Sequence, residues 1–192
     1  ILVGFKNAVI YTALGTAISV IVTIFGAYPL SRKDLRGRSF FTLFFTVTMF
    51  FGGGLIPTYL VNQQLGIINT LWVMILPGAV GVYNMILMRT FFQQNIPSEL
   101  IESAYMDGAN DLQLLYKIIL PLSTPIIVVS ARFNGGGRWN AYFDAMIYLR
   151  DRAKFPLQLI LREKLIQGQF GDDVNQTLVG SAQDQLMMLK LT

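Results

Sequence analysis

Between Ser39 and Met88 the chain contains no Asp, Glu, Lys or Arg. A soluble domain needs charges on its surface helices, so an uncharged stretch of this length requires a membrane as its solvent. Only 14% of the 192 residues are charged, where about a quarter is usual. The remaining composition removes whole classes of chemistry. There are no cysteines and no histidines, which excludes disulfide frameworks, Cys/His zinc sites, His-ligated haem and His-based triads. No G-x-x-x-x-G-K-[ST] run occurs, so the chain has no nucleotide-binding P-loop of its own. No catalytic residue, metal site or cofactor is expected. The net charge of +4 comes from basic residues placed between apolar runs, not interleaved with aromatics. That pattern orients a membrane protein and argues against nucleic acid. No basic n-region precedes the first apolar run, so no signal peptide is expected. The start at Ile1 instead of Met suits a fragment or a trimmed N-terminus.

The apolar runs predict spans near 8–30, 40–61, 71–88 and 118–133, about 20 residues being needed to cross. In the first, Gly15 and Ser19, and equally Ala13 and Ala17, place small residues four apart, as close helix packing in lipid favours. The following segment, Ser31 to Arg38, holds four basic residues and one acid and is assigned to the cytoplasm. Gly52-Gly53-Gly54 and Pro57 should break the second span, either beside a water-filled path or where another helix packs closely. Asn62 to Thr70 suits a short outside loop. Pro77-Gly78 should kink the third span, and Arg89 should stop it. Tyr83 and Asn84 are the polar groups in that run. They are candidates either for a substrate path or for bonding a neighbouring helix.

Residues 90–117 then form a cytoplasmic loop carrying Glu99, Glu102, Asp107 and Asp111. Pro97 suits the first turn of a helix, with Asn95 as its cap. Leu100, Ile101, Ala104 and Tyr105 fall on one face, and Glu99, Glu102 and Ser103 on the other. Gly108 should end this helix as a left-handed residue, and Asn110 or Asp111 should start the next. The product is a short amphipathic helix, a Gly hinge and a second helix re-entering the bilayer. Such an element can dock into a groove and transmit a rigid push.

Glu102-Ser103-Ala104, then Gly108, Ile118 and Leu120-Pro121, resemble the EAA loop of binding-protein-dependent ABC importer permeases, with Ser103 where the pattern has Ala. Asp107-Gly108-Ala109 matches the run that commonly follows. Gly137 to Asp144 and Phe155 to Glu163 look like the carbohydrate-uptake branch, closest to permeases for polysaccharide-derived oligosaccharides and a group named for lipoprotein association. The resemblance implies an all-α, polytopic membrane helical bundle in a bacterial cell membrane, with a cytoplasmic coupling helix. It implies four partners and a cargo: a cytoplasmic ATP-binding subunit, a second homologous permease, an extracytoplasmic solute-binding protein, the lipid bilayer and a sugar. Contact with the ATP-binding subunit falls on Glu102, Ser103, Ala104, Asp107, Gly108 and Ala109. The implied protein is a transporter subunit and not an enzyme. Trp139, Asn140 and Tyr142 can stack on and hydrogen-bond a sugar or form an interfacial aromatic belt.

The chain departs from the pattern in two places. Arg132 and Gly135 to Gly137 interrupt the fourth span, and a central Arg costs about 2.5–3.5 kcal/mol on insertion scales. Either Arg132 faces water or an acid, with Asp144 as candidate, or the sequence is damaged there. Residues 1–170 are expected to be the permease domain and 171–192 a divergent tail, giving about four of an expected six spans. By alternation, everything from Asn134 onward lies outside. A secondary transporter needs ionisable groups inside its spans, and the first three have none. A membrane scaffold or a non-transporting remnant is the other alternative.

Overall fold

The computed structural model describes residues 1–168, and the expected tail 171–192 lies outside them. All regular structure among the described residues is helical. α1 (Leu2–Ser31) is the axis of the molecule. At 1.5 Å per residue it is about 45 Å long, more than the expected 8–30 and enough to pass through a bilayer. Its buried face is Gly4, Ala8, Tyr11, Gly15, Ser19, Thr23 and Ala27, a mostly small-residue stripe at three- and four-residue spacing. Gly15 and Ser19 lie in it, whereas Ala13 and Ala17 are exposed.

α2 (Arg38–Phe50) buries none of its residues. The chain breaks over the expected glycines, and α3 (Leu55–Gln64) leaves at 114° to α2. Segment 40–61 is therefore a bent pair and not a straight span. The expected 71–88 span is not one helix. α4 (Trp72–Ile75) stops before Pro77, and α5 (Val82–Asn95) begins afterwards. Proline has no N–H to continue the ladder, and Gly78 behind it takes φ +77°, so the local chemistry outweighs the hydropathy. Arg89 does not end α5. Its Nε donates to Leu30 O at 3.0 Å, and Gln93 donates to Ser31 O at 3.2 Å, satisfying carbonyls that the end of α1 leaves open.

α6 (Ser98–Met106) is followed by α7 (Asp111–Leu114), which widens into a π turn at Leu115–Ile119 and continues as α8 (Leu120–Leu122). After Ser123 the chain turns by 80° into α9 (Thr124–Trp139). The expected 118–133 span is thus another bent pair. α9 runs straight through Gly135 to Gly137, where three glycines were expected to weaken it, because it lies along α1 with Gly135 against Thr16. Ser19 Oγ donates to Asn134 Oδ1 at 2.9 Å across that interface. Taken with α1, the two bent pairs make up to three crossings long and apolar enough for a bilayer among the described residues, where the sequence led us to expect four.

α10 (Tyr142–Tyr148) and a helical stretch over 157–168 complete the described chain. Two cores result. One joins Ile24, Ala27 and Tyr28 of α1 to Met85, Met88 and Phe92 of α5, Ala104 of α6, and Leu114, Leu115 and Ile119. The other joins Tyr11, Val73, Met74, Ala145, Tyr148, Leu149 and Leu159. The loop expected over 62–70 starts later, because α3 runs on through Gln64, and its remaining part is pinned to this second core through Asn69. Its Oδ1 accepts the backbone N–H groups of Arg150 and Asp151, both at 3.2 Å.

Candidate functional site

α6 is shaped by its ends. Pro97 occupies the cap position with extended backbone, one residue earlier than expected. Asn95 is not the cap. It is the last residue of α5, and its Nδ2 donates back to Phe91 O at 3.1 Å. At the far end Gly108 has φ +81°. Its N–H donates to Tyr105 O at 3.0 Å, and the Ala109 N–H donates to Ala104 O at 2.9 Å. This pair of bonds is the reversal that a left-handed residue after a helix permits. Two residues on, Asn110 Oδ1 accepts the Gln113 N–H at 2.8 Å while Gln113 Oε1 accepts the Asn110 N–H at 3.1 Å. The reciprocal cap fixes where the next helix starts.

The six residues nominated around this loop divide by burial. Glu102, Ser103, Asp107 and Gly108 are exposed, Ala109 is half-buried, and Ala104 is only 6% exposed. Ala104 packs into the core with Leu114, Leu115 and Ile119, and Ile101 packs against the same cluster. Leu100 and Tyr105, placed by periodicity on the apolar face, are exposed, as is Met106. The outward surface of α6 is therefore mixed, with Glu102, Ser103, Met106 and Asp107 contiguous on it.

Alongside α6 lies a cavity of about 740 Å³, lined among others by Ser31, Arg32, Arg38, Gln93 and Glu99, with Glu102 at its α6 edge. On its wall the Tyr105 hydroxyl donates to Asp111 Oδ1. The Tyr28 hydroxyl reaches the same oxygen at 3.5 Å. The Arg32 guanidinium lies 5.2 Å above the Tyr105 ring. It is held there by a two-pronged pair with Asp34, at 3.0 and 2.9 Å. Burial, and then the Asp111 contact, push the Tyr105 phenol above its ordinary range. The Arg32 pair holds the Asp34 carboxyl below its ordinary range.

The nominated path residues do not converge. Tyr83 is exposed in the first turn of α5, and Asn84 packs back over Gly81. The Trp139 ring meets the Phe5 ring edge-on at 6.2 Å. Asn140 caps α9 and donates to Gly136 O at 3.0 Å. Arg162 covers the Tyr142 ring at 4.6 Å. A second cavity, of about 380 Å³, contains none of these five and is lined instead by Thr58, Phe133, Asn134, Arg138, Asp144 and Tyr148, among others. Arg138 is committed there, donating to Met74 O at 2.9 Å and Gly78 O at 3.2 Å. Arg132 is exposed and makes no ion pair among the described residues. Asp144 shares the cavity with Arg138 instead of pairing with Arg132. Sequence reasoning missed Arg138, Tyr28, Arg32 and Asp34 as interacting groups. Their partners are remote, or ordinary in composition, and left no periodic signal.

Residues 14–178 match the model of the family described as "Binding-protein-dependent transport system inner membrane component". Over 167 residues the chain is 46% identical to the polygalacturonan/rhamnogalacturonan transport system permease protein YtcP of Bacillus subtilis, covering 86% of this chain and 58% of that protein. It is 42% identical over 159 residues to Protein LplC of the same organism, covering 83% and 54%. The chain thus spans a little over half the length of these relatives. A crystal structure of a bacterial ABC transporter that imports the acidic polysaccharide alginate aligns with a TM-score of 0.84 at 35% identity, over 91% of this chain and 64% of that one.

Proposed function

Because the chain belongs to the binding-protein-dependent transport system inner membrane components, we propose that it is a translocating subunit of an ATP-driven sugar importer. It works beside a second permease, below an extracytoplasmic binding protein and above a cytoplasmic ATP-binding subunit. ATP binding and hydrolysis on that subunit bias the membrane helices between inward- and outward-facing arrangements. The observation that carries this reading is α6 itself. It is a short helix closed by the Gly108 reversal, with Glu102, Ser103, Met106 and Asp107 outward and Ala104 and Ile101 seated in the bundle. That is the geometry of a lever, with one face for a partner and the other for the spans. Residues 1–170 form the permease unit in this reading, in a bacterial cell membrane.

The cargo is an oligosaccharide. The relatives named for polygalacturonan/rhamnogalacturonan and for alginate favour one containing uronates. Affinity purification from membranes tests the assembly. A stoichiometric ATP-binding subunit and a second permease are expected to accompany the chain. Recovery of the chain alone would overturn the proposal.

A further inference from the structure

The turn at Gly108 leaves α6 joined to the bundle by a short connection, and something must fix its angle. The side chains that do so belong to α1 as well as to α7. Asp111 Oδ1 sits across the Gly108 turn from Tyr105, whose hydroxyl donates to it. Tyr28, 8% exposed near the end of α1, points its hydroxyl at the same oxygen from 3.5 Å. Arg32, just past the end of α1, lies over the Tyr105 ring at 5.2 Å while Asp34 holds it in place. The end of α1 is in turn gripped by Arg89 and Gln93 of α5.

We infer that Asp111 is a shared acceptor that clasps α6 to α1 through Tyr105 and Tyr28, so that movement of α6 is delivered to α1 as well as to α9. This rests on α6 being the coupling helix and adds a second route out of it. The first route is covalent, through the π turn Leu115–Ile119 to α9. The second is the clasp, and it reaches the helix against which both α9 and α5 pack. Tyr28, Tyr105 and Arg32 are positioning residues in this scheme: they act on the angle of α6 and touch no substrate.

The chain has no cysteine, so spin labels can be placed uniquely, at Val9→Cys on α1 and Phe44→Cys on α2, both exposed. In the reconstituted importer, ATP with vanadate is expected to shift the Val9–Phe44 distance distribution. In Tyr28→Phe/Tyr105→Phe, which keeps both rings, the shift should shrink to about half or less, and uptake per ATP hydrolysed should fall about fivefold, the lower end of common coupling factors. Asp111→Asn, made in the parent with both hydroxyls present, retains an acceptor oxygen and should preserve most of both. An unchanged shift in the double Phe variant, or no shift in the parent, overturns the clasp. Gly108→Pro, run alongside, separates the two readings. If it uncouples while the double Phe variant does not, only the clasp fails. If it leaves coupling intact, the assignment of α6 fails with it.

Discussion

Gly108→Pro is expected to leave the chain inserted and assembled while abolishing the link between ATP hydrolysis and uptake. Gly108 sits at φ +81° and gives its N–H to Tyr105 O. Proline is locked near −65° and has no N–H, so it removes the bond and forbids the backbone that reverses the chain. The local cost exceeds about 1 kcal/mol, enough to force α6 into another direction. The cores do not depend on that residue, since Gly108 is exposed and no side chain lies near the place its Cβ would take. Uptake of an oligogalacturonide by proteoliposomes should fall at least about tenfold, a loss corresponding to about 1.4 kcal/mol of coupling, with hydrolysis persisting. Gly108→Ala tolerates the left-handed region at a cost of about 1–2 kcal/mol and should fall between. Normal uptake by the Pro variant would contradict the assignment of α6.

Gly15→Val should destabilise the bundle strongly. A Cβ at position 15 would lie 2.7 Å from Arg138 Cδ and 2.8 Å from its Nη1. The arginine cannot simply swing away, because its two nitrogens hold Met74 O and Gly78 O. Those carbonyls flank the break between α4 and α5, where no helical donor follows to satisfy them. Losing two charge-assisted bonds at about 1.5–3 kcal/mol each gives a destabilisation of about 3 kcal/mol or more. Ala13→Val and Ala17→Val, on the exposed side of the same helix, should each stay within about 0.5 kcal/mol. Thermal unfolding of the purified protein in detergent measures the contrast. Equal stability of the Gly15 and Ala17 variants would show that Arg138 does not hold the second core.

The parts of this molecule that were legible in the sequence are those decided within a few residues. Gly108 ends a helix because of its own backbone freedom, and Asn110 starts one because its side chain reaches Gln113. The break after α2 follows from three consecutive glycines. Hydropathy misled where it stood in for geometry. Residues 71–88 avoid charge as a span does, yet Pro77-Gly78 divides them into a four-residue helix and the start of another. Apolar composition reports what a segment avoids, and only capping and proline chemistry report its shape. Arg89 was legible only as a charge after an apolar run, and its bond to the end of α1 at Leu30 O was not. The remaining misses pair groups far apart in the chain: Tyr28 with Asp111, Arg138 with Met74, Asn69 with Arg150. No local pattern announces such pairs. Ala104 is instructive for the opposite reason. The resemblance placed it in the partner contact along with Glu102 and Ser103, while the fold turns its methyl group into the core.

That last difference supplies the most direct test of the coupling role. Single cysteines placed along α6 in the assembled importer can be cross-linked to the ATP-binding subunit with a short bifunctional reagent. Strong products are expected from Glu102→Cys, Ser103→Cys, Met106→Cys and Asp107→Cys, and none from Ile101→Cys or Ala104→Cys, which face the bundle. Equal cross-linking all round the helix, or none from its outward face, would contradict the coupling role.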